Sequence, residues 1–209
     1  MRQANLLNHI KKHAAIYLFM LILFLTGIIF GAIIVNSMNV TQKLDLFFYL
    51  EQFFGKISGE QSIDTIDILK SSSAYHIKYL LLLFILGLSV IGLPVLWILI
   101  FLKGIVVGFS VGFIVNQLGL KGLLIAALSI APQNLVIIPI YIIAGSMAMI
   151  FSLLLLNKLF TRQLSKPILK PLRAYSFIFV LLIILSFSGS LLEAFVANNA
   201  LESIIKAYY

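Results

Sequence analysis

From Tyr79 to Val115 the chain runs 37 residues with a single charge, Lys103. A bilayer core about 30 Å thick takes roughly 20 helical residues at about 1.5 Å rise. One straight helix of that length overshoots the core by far. The run therefore predicts two membrane spans that turn at Lys103-Gly104. A buried hairpin in a soluble protein is the alternative, but 209 residues cannot cover so much apolar surface with soluble layers.

Composition points the same way. Mean hydropathy is +1.12, and only 11% of residues are charged, against about 25% in soluble domains. The net charge of +8 does not indicate nucleic acid, because nine of the fifteen Lys and Arg residues flank apolar runs. They are Arg2, Lys11 and Lys12, then Lys103, then Lys158, Arg162, Lys166, Lys170 and Arg173. That is the pattern of positive charge on the cytoplasmic side. With no cysteine, disulfides, thiolate metal sites and cysteine nucleophiles are excluded.

Read along its length, the chain is a single integral membrane domain, 1–209, with an all-α fold: a polytopic helical bundle of about five transmembrane helices. The first span, 14–35, is too long for a signal-peptide core and reads as a retained anchor. The segment 36–78 carries five of the seven acids and a net charge of −1, which suits the external face. Within it, Leu44, Phe47, Phe48 and Phe54 recur at near-helical spacing among Gln42, Asp45, Gln52 and Lys56. An amphipathic helix lying on the membrane or against a partner is one reading; a helix packed over the span ends is the other. Gly55 to Glu60 reads as a turn, and Ile63, Ile66, Ile68 and Leu69 suggest a shorter helix.

The second span is 79–102, with a kink expected at Pro94, and the third is 104–118. Pro132 and Pro139 interrupt the next apolar run. Charge balance leaves it one crossing, so Gly122 to Ala131 is expected to be re-entrant or interfacial, and 135–156 forms the fourth span. A cytoplasmic basic loop, 157–174, precedes the fifth span, 175–197. The N-terminus is then cytoplasmic and the C-terminus external.

Gly104, Gly108 and Gly112 place a stripe along the third span, echoed by Gly27 and Gly31 in the first. Helices in lipid associate through close backbone approach. Packing within the bundle is favoured over contact with a partner's helix, and neither implies chemistry. Polar residues in or beside the spans are few: Asn36, Asn116, Gln117, Gln133, Asn134 and Glu193. At that depth polar groups mark pathways or partner contacts, or simply bond freed carbonyls. The break at Pro132-Gln133-Asn134 is similar to the unwound helices of transporters. His9 and His13 share a helical face without a further ligand nearby. No GxSxG, HExxH or phosphate-cradling loop occurs. The sequence thus predicts no catalytic residue, no metal and no cofactor.

Longer runs carry a resemblance. FGAIIVNS at 30–37, QKLDLFFYLEQFFG at 42–55, ILGLSVIGLPVLWILIFLKGIVVGFSVGFIVNQLG at 85–119 and APQNLVIIP at 131–139 closely resemble the stage II sporulation protein M family of endospore formers. Members outside spore formers often carry a His-Gly pair and an acid near the fourth span, where Gln133 and Asn134 stand here. The resemblance implies a non-enzymatic scaffold for forespore engulfment in the mother-cell membrane at the septum. It would anchor stage II sporulation proteins D and P, which degrade peptidoglycan. Homo-oligomerisation stays open. A small transporter or channel built on the broken helix is the alternative.

Overall fold

The computed structural model describes residues 11–58, 65–161 and 168–197, and no strand occurs among them. Helix α1, Ala14–Ser37, is followed by α2, Val40–Ser58, and α3, Thr65–Gly87. Helix α4, Gly92–Ile125, breaks at Gly119 and leads through a π-helical turn, Ala126–Ile130, into α5, Ala131–Phe160. Helix α6, Leu169–Leu191, ends in a second π-helical turn, Leu192–Ala197. Among the described residues three stretches are long and apolar enough to cross a membrane: Ala14–Ser37, Gly92–Phe160 and Leu169–Phe195. The chain is an all-α membrane bundle.

Glycine sets the closest contact. Helices α1 and α4 run parallel, with Gly27 against Gly104 and Gly31 beside Gly108. A Cβ on Gly27 would stand 2.3 Å from the Phe101 carbonyl oxygen, and one on Gly108 would stand 2.1 Å from that of Ile28. Backbone meets backbone here, so any side chain would force the helices apart. Gly112, at the loose end of the stripe, leaves 3.4 Å to Ala32 Cα. The stripe is spent inside this bundle and offers no free face to another chain.

Helix α3 runs antiparallel to α4, and the chain between them turns at residues 88–91. Backbone bonds from Ser89 to Leu86 O and from Gly92 to Ser89 O close the turn, and the Ser152 hydroxyl donates to Ser89 O at 2.9 Å. This corrects the expected turn at Lys103-Gly104 and the span bounds 79–102 and 104–118 around it. Helix α4 passes straight through both residues. Its charge survives in mid-helix because aromatic rings from α3 and α5 surround it. Pro94 lies in the first turn of α4, where its missing N–H leaves no bond unmade, so no kink is needed. Of the short helix expected near Ile63 to Leu69, the part from Thr65 on is the start of α3 itself, and Ile63 lies outside the described residues.

The next reversal is abrupt. Gly119 has φ 58° and ψ −132°, a conformation that costs residues with a Cβ heavily. Beyond it the chain folds back along α4, so that Gly122 lies beside Ile114 and Gly145 beside Ile100. The segment expected to be re-entrant or interfacial, Gly122 to Ala131, is helical and runs on into α5. Pro132 fits because the π-helical turn replaces the i−4 bonding that a proline ring would disrupt.

Helix α6 lies antiparallel to α5, with Gly189 beside Ile137. The Tyr175 ring stacks between Phe84 at 5.0 Å and Phe151 at 4.5 Å, and its hydroxyl donates to Phe84 O at 2.9 Å. Around this point Leu80, Leu83, Leu96, Ile100, Ala144 and Ala148 are fully buried. Five helices thus run side by side. The start of α1, the 88–91 turn and the start of α6 share one end, and α2, Gly119 and the end of α6 share the other. Among the described residues, helix α2 makes no extensive contact with the other five. The tail 198–209, the basic residues Arg2, Arg162 and Lys166, and the Phe54 side chain lie outside what is described, as does part of the expected turn at Gly55 to Glu60.

Candidate functional site

Side chains four apart on a helix share a face. On α3 this sets Ser72 below His76 and Tyr75 below Tyr79 in two adjacent rows. Across from them, α4 contributes Lys103, which sits near the middle of its first arm. By helical rise it is about 16 Å from Gly92 and about 22 Å from Leu118. The side chain is only 9% exposed. Its Nζ donates to the Tyr75 hydroxyl at 3.2 Å and stands 4.6, 5.7 and 5.1 Å from the ring centroids of Tyr75, Tyr79 and Tyr141.

Removing an ammonium from water costs several kcal/mol even after relaxation. Each facing ring returns roughly 0.5–2 kcal/mol, and a hydrogen bond to a charged group returns about 1.5–3 kcal/mol. Three rings and one phenol therefore hold the cation in place. They do not cancel its charge.

Beside the cage stands a row of polar side chains, hydrogen-bonded at both ends but not at its middle. The Tyr141 hydroxyl lies 2.6 Å from His76 Nδ1, and His76 Nε2 lies 4.0 Å from Glu193 Oε2. Glu193 accepts from the Ser72 hydroxyl, which is also 3.2 Å from Ser190 Oγ. The second π-helical turn brings Glu193 here, at the end of α6. Among the described residues no carboxylate stands within ion-pair distance of Lys103.

Ser72, Tyr75, His76, Lys103 and Glu193 line a cavity of about 380 Å³ that rises from Lys103 to Ser110, Ile130, Gln133 and Asn134. Asn134 donates to Ile130 O at 2.9 Å, across the junction with the π-helical turn. His76 Nε2 and Gln133 Oε1 are buried without a hydrogen-bond partner among the described residues. Below Lys103 the fully buried Leu80, Leu83, Leu96 and Ile100 close the bundle. The cavity is blind at that end.

The structure thus brings together Gln133, Asn134 and Glu193 of the residues singled out in the sequence. It leaves Asn36, Asn116 and Gln117 elsewhere: Asn36 and Asn116 are exposed, and Gln117 is half-buried. Leu44 and Phe48 are exposed on α2 and Phe47 is half-buried. Sequence reasoning missed Lys103, His76 and the three tyrosines. The signal available was the Ser72, Tyr75, His76, Tyr79 pattern at helical spacing.

A family model described as stage II sporulation protein M matches residues 20–198. The chain belongs to the stage II sporulation protein M family. It is a sporulation-related membrane protein. Comparison with curated proteins and with solved structures finds no match. In this M-family member the matched region includes every residue of the Lys103 cavity and the whole of α2.

Proposed function

We propose that this protein is a non-enzymatic membrane scaffold of the engulfment complex. It holds stage II sporulation proteins D and P at the septal membrane, where they degrade peptidoglycan. Five helices cross the bilayer, with the N-terminus cytoplasmic and α2 and the C-terminus external. The observation that carries the reading is α2. It is tied to the bundle through the short link after Ser37, yet among the described residues it makes no extensive contact with the bundle helices. Val40, Leu44, Phe48 and Tyr49 are 75%, 61%, 63% and 66% exposed. A groove of about 640 Å³ separates it from α1 and Phe109 of α4. An apolar helix face held clear of its own bundle suits a partner or the bilayer surface. Two hydrolases held beside each other in two dimensions gain effective concentration without new chemistry.

The test is photo-crosslinking from Phe48 in sporulating cells. Recovery of D or P on the crosslinked protein supports the scaffold, and recovery of lipid alone removes α2 as the docking surface. The transporter reading draws on the polar cavity. Against it stands the apolar closure below Lys103, and solute flux in liposomes tests it directly.

A further inference from the structure

We propose that the cavity above Lys103 is a binding site for a phosphate group. The motive is an ammonium buried in the bundle whose charge no carboxylate among the described residues neutralises. The tyrosine rings hold that charge, but they leave its field directed into the cavity. An anion entering there is attracted to the ammonium more strongly than it would be in water, less the cost of its own desolvation and of its repulsion by Glu193.

The walls define which anion. At the floor stands the Lys103 ammonium, with the Ser110 hydroxyl on the wall above it. On the same lining, Gln133 Oε1 is buried with no donor to meet it among the described residues, and the Glu193 carboxylate accepts from Ser72 while facing His76. The ligand must therefore offer acceptor oxygens to Lys103 and Ser110 and a hydroxyl donor to Gln133 or Glu193. A monovalent halide has no donor. A metal cation is repelled by Lys103. Dihydrogen phosphate meets both demands, as does a phospholipid head that carries hydroxyls beside its phosphate. The size agrees, because about 380 Å³ lies at the small end of ligand pockets. Entry is open between α3 and α4, where Tyr75 and Val106 are 50% and 53% exposed while Lys103 and His76 lie behind them.

The test uses the full chain in a phosphate-free maltoside detergent, read by thermal unfolding and native mass spectrometry. Inorganic phosphate and phosphatidylglycerol are titrated separately, with phosphatidylcholine as the head that lacks a donor. Saturable stabilisation by inorganic phosphate identifies a soluble ligand. Stabilisation and co-detection with phosphatidylglycerol alone identify a lipid head. Lys103→Met should lower either affinity at least tenfold, and without ligand it should unfold no earlier than the parent protein, because it removes an unneutralised charge. Gln133→Leu keeps the ammonium and should weaken binding several-fold, which preserves the test if the first variant does not fold. No response of the parent protein to either phosphate source overturns the proposal, as does equal binding by the parent and Lys103→Met. A strong double-mutant coupling between Lys103→Met and Glu193→Gln without ligand also overturns it, since Glu193 would then be the missing counter-charge.

Discussion

The Tyr141 hydroxyl and His76 Nδ1 meet at 2.6 Å, and both residues are buried. The bond ties α5 to α3 at the level of Lys103, so one phenol both orients the imidazole and presents a ring to the ammonium. Tyr141→Phe keeps the ring and removes the bond. It should destabilise the bundle by about 1–3 kcal/mol, the cost of a buried polar atom left unpaired. Unfolding in mild detergent measures it, and a loss no larger than that of an exposed control such as Tyr49→Phe would count against the bond.

Gly108→Ala should separate α1 from α4, because its new methyl would stand 2.1 Å from a carbonyl oxygen. Gly112→Ala should be tolerated, with 3.4 Å available. The first is expected to cost more than about 1 kcal/mol, and the second close to nothing. Equal melting temperatures for the two would mean that the helices do not meet at Gly108.

Ser152→Ala removes the hydroxyl that fastens the 88–91 turn to α5. A loss of about 1 kcal/mol is expected, together with faster proteolysis at the turn. Unchanged cleavage would show that the backbone bonds alone hold it.

Phe47→Ser with Phe48→Ser should leave the protein in the membrane and release a hydrolase partner. Aromatic anchors commonly carry much of an interface's energy. Co-purification from sporulating cells, normalised to the inserted protein, reads the outcome. Normal recovery at normal level would shift the docking surface away from α2.

A reporter placed at Ser89-Val90 should read the same side as one at Lys158, and the opposite side from one at Gly119-Leu120. Parallel and antiparallel contacts between the helices fix those ends together. A Ser89 reporter on the Gly119 side would break the five-crossing arrangement.

Hydropathy made the class legible, since apolar stretches long enough to span are what lipid demands of a chain. The glycine stripe was legible too, because spacing four on a helix is a purely local pattern. Lys103 was not. A lone charge in an apolar run reads as a loop until its cage is known, and the cage comes from Tyr75, Tyr79 and Tyr141, far along the chain. The start of α3 was obscured for a related reason. Its serines and lysines lower hydropathy, yet the Ser71 hydroxyl returns its bond to Ile68 O within the same helix. The fold-back at Gly119 leaves only a glycine in the sequence, and no residue pattern announces a π-helical turn.

That turn, Ala126–Ile130, sets rotational phase. Each residue advances an α-helix by about 100°, and a π-helical turn accommodates one residue more than the helix on either side of it. Without the surplus residue, everything before the turn would swing by about that angle relative to α5. Either Gly122 would leave its seat against Ile114 or Gln133 would turn from the cavity. A single extra residue thus lets one rod satisfy two facings at once: tight packing at its hairpin end and an amide on the wall of the Lys103 cavity further along.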